Sequence, residues 1–235
     1  MTAPTRKPPL SSIPPLVHGD RLTRDEFERR YDAMPELRKA ELIEGVVYMP
    51  SPVRADQHGN PHADLIGLLV YYRANTPGVR VSADASIRLD LDNEPQPDAL
   101  MYVETPFGGQ TRIDEDGYLV GGPELVAEIS ASSARIDLTS KLDVNCRHNV
   151  REYLVWRVLE NAFDWFVLRQ GQYEQLQRTP TGLLQSEQFP GLWLDMDALL
   201  RFDMPQVLQT VQQGIASADH AAFVARLQQR VNQLP

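Results

Sequence analysis

The stretch GGPELVAEISASSARIDLTSKLDV, residues 121–144, sets a single carboxylate, Glu128, inside an otherwise apolar run. A short apolar run bounded by Gly-Pro on one side and serines on the other reads as a buried strand. A charge there suffers desolvation, so Glu128 needs a cation, a metal or a solvent cleft to stay ionised. After the strand the pattern predicts a helix over 137–149, with Asn149 as its left-handed terminator, and then a further strand, EYLVWRV. Lys141 lies on that helix.

Working outward, EPQPDALMYVE places Asp98 at the mouth of another apolar run, and VRVSADASIRLDL supplies more strand. Leu65, Leu68, Leu69 and Tyr72 follow the spacing of an amphipathic helix that Pro77 and Gly78 close. AELIEGVVYMP reads as two short strands around a Glu-Gly turn. Thr23 with Glu26 three residues on suggests a capping box. Downstream, a hairpin is expected at Gln170-Gly171 and a helix start at Asp195. FGG and VGG read as hinges flanking a polar insert, 104–122. The chain divides into a proline-rich arm over 1–20, expected to be extended or disordered, a domain over 21–203, and a helical tail over 204–235 with few core anchors.

The chain has 235 residues and a formal net charge of −9, which speaks against a surface that grips nucleic acid everywhere but leaves room for a local basic patch. Its one cysteine, Cys146, cannot close an internal disulfide. The first residues lack the apolar core of a signal peptide, and no run is long enough to span a membrane, so the expected setting is cytoplasmic.

His58 and His62 stand four apart, but Gly59 and Pro61 between them are expected to break a helix, and no glutamate follows the first histidine as zinc proteases require. There is no nucleophile elbow, phosphate loop or paired C-x-x-C. Asp98, Glu128 and Lys141 remain. If the two strands are neighbours, both acids can point at one divalent ion, and Mg²⁺, which keeps several waters, suits so sparse a donor set. A nearby ammonium would position or help activate a water for phosphodiester hydrolysis. Spacing alone leaves open that Pro97-Asp98 is a simple turn and that Glu128 pairs with an arginine at the sheet end.

At these residues the chain resembles the PD-(D/E)XK nuclease superfamily, and within it a bacterial restriction-endonuclease group. The resemblance runs through LTRDEFERR, AELIEGVVYMPSP, the His58 segment, PQPDALMYV, GPELVAEISASS, DLTSKL and VREYLVW, about residues 22–170. It implies an α/β, restriction-endonuclease-like core, a central mixed β-sheet flanked by α-helices, with a Mg²⁺-dependent site in which Mn²⁺ can substitute. Glu41 matches the first acid, Asp98 the aspartate of the PD motif and Glu128 the acid of the third motif. The superfamily's lysine would fall at Ser130; in this group it has moved to the next helix, where Lys141 matches, four residues after Asp137. His58 also matches a histidine of the group. Asn145 stands where the group usually has tyrosine, and Asn149 where it usually has glycine. The leading expectation is action on DNA as a homodimer, because a single site cuts one strand and two-fold symmetry matches a duplex. The competing readings are a nuclease-fold binding or regulatory module without turnover, and an oligomeric scaffold held by the C-terminal helix.

Overall fold

The computed structural model describes residues 13–49 and 54–233. The first part of the arm, residues 1–12, and the MPSP end of the Glu41 segment beyond Met49 lie outside the described residues. Helix α1 (Arg24–Tyr31) is followed by strands β1 (Glu41–Ile43) and β2 (Val46–Tyr48), an antiparallel pair turned at Glu44 and Gly45, both at positive φ. The expected capping box at α1 does not form. Thr23 makes no side-chain cap, and the Glu26 carboxylate, which would complete the box, is engaged instead by Arg29 and Arg30 at 2.7 Å each.

The histidine segment also departs from expectation. Gly59 and Pro61 do not interrupt it: a π-helical turn, Ala55–Gly59, runs directly into α2 (Asn60–Ala74). Pro61 sits in the first turn of α2, at the junction with the π-helical turn.

The strands that follow are β3 (Val79–Ala83), β4 (Ile87–Arg88), β5 (Ala99–Val103), β6 (Arg112–Ile113), β7 (Leu119–Val120) and β8 (Leu125–Ser130). The helix predicted over 137–149 is divided into α3 (Ala134–Asp137) and α4 (Ser140–Arg147), because Thr139 leaves helical geometry at φ −127° and ψ −98°. Asn149 does adopt the left-handed conformation, φ 59°. Then come β9 (Glu152–Arg157), β10 (Ala162–Arg169), β11 (Gln172–Gln175), β12 (Leu184–Gln185) and β13 (Trp193–Leu194), with the hairpin turning at Gln170-Gly171 as the sequence indicates. Helix α5 (Met196–Leu200) starts at Asp195, whose side chain accepts from the Ala198 N–H, and α6 (Met204–Ile215) and α7 (Ala218–Val231) end the chain.

Six strands form the central sheet in the order β11-β10-β9-β8-β5-β3. The β8–β9 pair is parallel and its other pairs are antiparallel, so the sheet is mixed. Alternation along β8 assigns its faces: Leu125, Ala127 and Ile129 join Leu65, Leu69 and Tyr72 of α2 in one core, while Val126 joins Leu100, Tyr153 and Val155 in a second core beneath Leu138 and Leu142. Glu128 shares the parity of Val126 and therefore faces α3 and α4.

Two terminal segments are more firmly seated than their composition suggests. Val207 and Val211 of α6 and Phe223 and Leu227 of α7 are buried in the α2-side core. Gly214 lies so close to Gly191 that a Cβ there would stand 2.1 Å from the Gly191 carbonyl oxygen. Four i, i+4 anchors among glutamines suffice to dock this pair of helices. At the other end, Leu16 is buried with Phe27, Leu42 and Val47, and the Gly19 N–H donates to Val47 O at 2.8 Å. The arm's described residues are therefore docked, not extended into solvent.

Candidate active site

The register that pairs Ala99 with Ala127 sets Asp98 opposite Glu128 one step further along, at the same end of two neighbouring strands. Asp98 is fixed there by backbone chemistry: its Oδ2 accepts from the Ile129 N–H at 2.8 Å and from His58 Nε2 at 3.1 Å, while His62 Nε2 donates to its carbonyl oxygen at 2.7 Å. The π-helical turn and the first turn of α2 thus deliver one imidazole each to one residue. Glu41, at the start of β1, accepts from the Gln96 N–H at 2.8 Å, two residues before Asp98.

Lys141 enters from α4. Its Nζ lies 2.8 Å from Glu41 Oε2, 3.0 Å from Glu128 Oε1 and 3.5 Å from Asp137 Oδ1, and all four side chains are buried. The arginine partner that spacing left open for Glu128 is not used; its cation is Lys141. Nor is Lys141 a solvated helix residue with Asp137 as its one partner. Asp137, the last residue of α3, is held from the sheet by Ser130 Oγ of β8, which donates to Oδ2, and by the Tyr153 hydroxyl of β9, which donates to its carbonyl at 3.0 Å. Ser130, where the superfamily's lysine would fall, ties the end of β8 to α3.

A residue that sequence reasoning missed completes the cluster. Lys39 places its Nζ 2.7 Å from Asp98 Oδ1 and 3.3 Å from Asp84 Oδ1. The signal that could have found it is period two: on an extended segment Lys39 shares a face with Glu41. His62, weighed only as a zinc ligand, also belongs here, as a support for Asp98. Asn145, one turn after Lys141, is buried with its Oδ1 unpartnered.

Four buried carboxylates against two ammonium groups leave an excess of negative charge, and the titration directions follow from it. Burial by itself would raise the Asp98 carboxyl, but the hydrogen bond from His58 and the Lys39 charge overturn that and hold it well below the usual carboxylate range. Burial raises Glu128; Lys141 pulls against this, while Asp137, Asp98 and Glu41 push further up, and the net direction is up. Burial works against the Lys141 charge, yet Glu128, Glu41 and Asp137 outweigh it and keep the ammonium protonated.

Hard oxygen donors in excess of the positive charge, with Asp137 Oδ1 buried and without a hydrogen bond, are a donor set suited to a small divalent cation. Among the described residues no three acids, histidines or cysteines are yet gathered at metal-ligating geometry.

A mixed sheet bearing two acids at the ends of adjacent strands, with a lysine reaching in from the helix that follows, defines a restriction-endonuclease-like α/β fold. The family model described as "Uma2: Putative restriction endonuclease" matches residues 24–197, and the chain belongs to this family. The fold is similar to the crystal structure of a nuclease of the DUF820 group from Anabaena variabilis, described there as putative, with TM-score 0.58, 16% identity, and coverage of 77% of this chain and 98% of that one. At that identity the likeness concerns the fold. No curated protein matches the chain. Among the described residues no helix is long and apolar enough to cross a membrane.

Proposed function

We propose that the protein is a Mg²⁺-dependent endonuclease that hydrolyses phosphodiester bonds in DNA, acting as a homodimer in the cytoplasm, with Mn²⁺ able to replace Mg²⁺. The observation that carries the reading is the convergence of Glu41, Asp98, Glu128 and Lys141, drawn from four elements, at one end of the central sheet.

In this reading Asp98 and Glu128 hold the cation, which supplies positive charge against the phosphoryl oxygens as negative charge builds there. Glu41, Glu128 and Asp137 surround the Lys141 ammonium and favour its charged form. Its part is electrostatic, a compact and preorganised positive charge beside the ion-holding acids. Glu41 and Asp137 fix that ammonium. His58 and the Ile129 N–H fix Asp98 Oδ2, so that its Oδ1 faces the reaction. Dimerisation matches the two strands of a duplex with two sites.

Supercoiled plasmid, short duplexes and RNA incubated with Mg²⁺ or Mn²⁺ test the reading, with Asp98→Asn and Glu128→Gln as comparisons. Metal-dependent cleavage lost in both variants is expected. A protein that binds the ion but cuts none of these substrates would instead be a nuclease-fold binding module.

A further inference from the structure

Lys39 and Lys141 differ in what they can do. The Lys141 side chain is 5% exposed and every partner is buried, so it is locked. The Lys39 side chain is 21% exposed, and its second partner, Asp84, is 48% exposed and held at φ 50°. Lys39 therefore connects the buried acids to solvent, and a ligand approaching Asp98 from outside meets it.

The oxygens of Asp98 are already allocated. Oδ2 is saturated by the Ile129 N–H and His58 Nε2, and Oδ1 carries the Lys39 ammonium. A cation that takes Oδ1 must displace Lys39, because two positive charges in contact with one carboxylate oxygen repel strongly in a poorly hydrated site. The displaced ammonium has a four-carbon stem, and Asp84 holds it only at 3.3 Å.

We propose that Lys39 is a mobile second ammonium of the site: it yields Asp98 Oδ1 to the divalent ion and turns outward to hold a phosphate oxygen of the nucleic-acid backbone. This rests on the reading of the site given above. Lys39 is then both the competitor that restrains ion binding in the free protein and a contact that substrate gains once the ion is in place. In the exchange the incoming ion takes the ammonium's place at Asp98 and brings one further positive charge to a cluster with excess carboxylates, while the phosphate takes the carboxylate's place at Lys39.

The test uses the full chain and two readouts that need no cleavage: calorimetric Mn²⁺ titration, and binding of a short duplex in Ca²⁺. Lys39→Met keeps the stem and removes the charge. It should bind Mn²⁺ at least about threefold tighter and the duplex about fivefold to tenfold more weakly, with the salt dependence of duplex binding reduced by about one phosphate contact. Lys39→Arg, which preserves the charge and guards against a folding defect in the first variant, should keep duplex binding and show no gain in Mn²⁺ affinity. Unchanged Mn²⁺ affinity in Lys39→Met overturns the displacement, and unchanged duplex affinity overturns the phosphate contact. If wild type and variants alike take up no Mn²⁺, the metal reading of the whole site fails with it; uptake by wild type that is indifferent to Lys39 sinks this inference alone.

Discussion

Replacing Lys141 by methionine removes one charge from among Glu41, Glu128 and Asp137 while keeping a side chain of similar reach. In wild type the ammonium has three carboxylate oxygens within 3.5 Å, all buried. Removing one member of a buried ion pair costs about 3–5 kcal/mol, since the partner is left charged and dry. For a domain of this size each kcal/mol shifts the melting temperature by about 2–4 °C, so a fall of about 6–20 °C is expected. Glu128, already raised by burial, loses its main opposing charge and rises further. A carboxyl whose folded pKa lies above its unfolded value contributes stability that is whole below the ordinary carboxylate range and fades as pH rises through the folded value. The deficit of the variant should therefore widen from about pH 5 to about pH 8. Lys141→Met/Glu128→Gln should recover more than half of it. In the cleavage assay Lys141→Met should lower turnover about a hundredfold or more, the cost of losing one preorganised charge. A melting temperature within about 2 °C of wild type at both pH values would refute the burial argument, and detectable cleavage left unchanged would remove Lys141 from the catalytic set.

Asp98→Asn should weaken Mg²⁺ or Mn²⁺ binding by calorimetry, and equal affinity in the two proteins would mean that Asp98 and Glu128 do not share an ion. Because Glu128 holds its proton readily, ion binding should release protons and tighten as pH rises; titrations in buffers of different ionisation enthalpy read this directly, and a buffer-independent heat would contradict it. Glu152 is buried with Ser186 Oγ, Trp165 Nε1 and the N–H groups of Glu187 and Gln188 donating to it, and burial pushes its carboxyl up to about 7 against those donors. Its stabilising contribution should fade as pH rises through about 7, so Glu152→Gln should flatten that part of the melting profile; parallel wild-type and variant profiles would exclude the effect. Leu16→Ala should cost about 2–5 kcal/mol by denaturant titration, as for other buried leucines, and a loss under about 0.5 kcal/mol would show that the arm's contact with Phe27 and Val47 is not stabilising.

Local chemistry is what the sequence carries most openly. Glu44-Gly45, Gln170-Gly171, Asn149 and the Asp195 cap were all readable, since each is fixed by one or two residues with particular backbone or capping needs. The placement of α6 and α7 was not, because four apolar residues spaced among glutamines do not reveal which surface they meet. The break at Thr139 was equally hidden, since the apolar period runs through it. The acids and Lys141 could be placed through the ordered motifs of a family, whereas spacing alone allowed an arginine at Glu128. Lys39 escaped because its partner, Asp98, lies 59 residues further along the chain.

The site draws on β1, the residue before β5, β8 and the helices after it, and its Lys141–Glu41 ion pair spans 100 positions of sequence. An unfolded chain cannot present these groups together, so a cation taken up by them binds the native state alone. Each tenfold excess of ion over its dissociation constant then adds about 1.4 kcal/mol to the stability of the entire domain. On the reading proposed for the site, ion supply would thereby govern how long the protein survives proteolysis, since a cell short of the cation would hold fewer folded molecules.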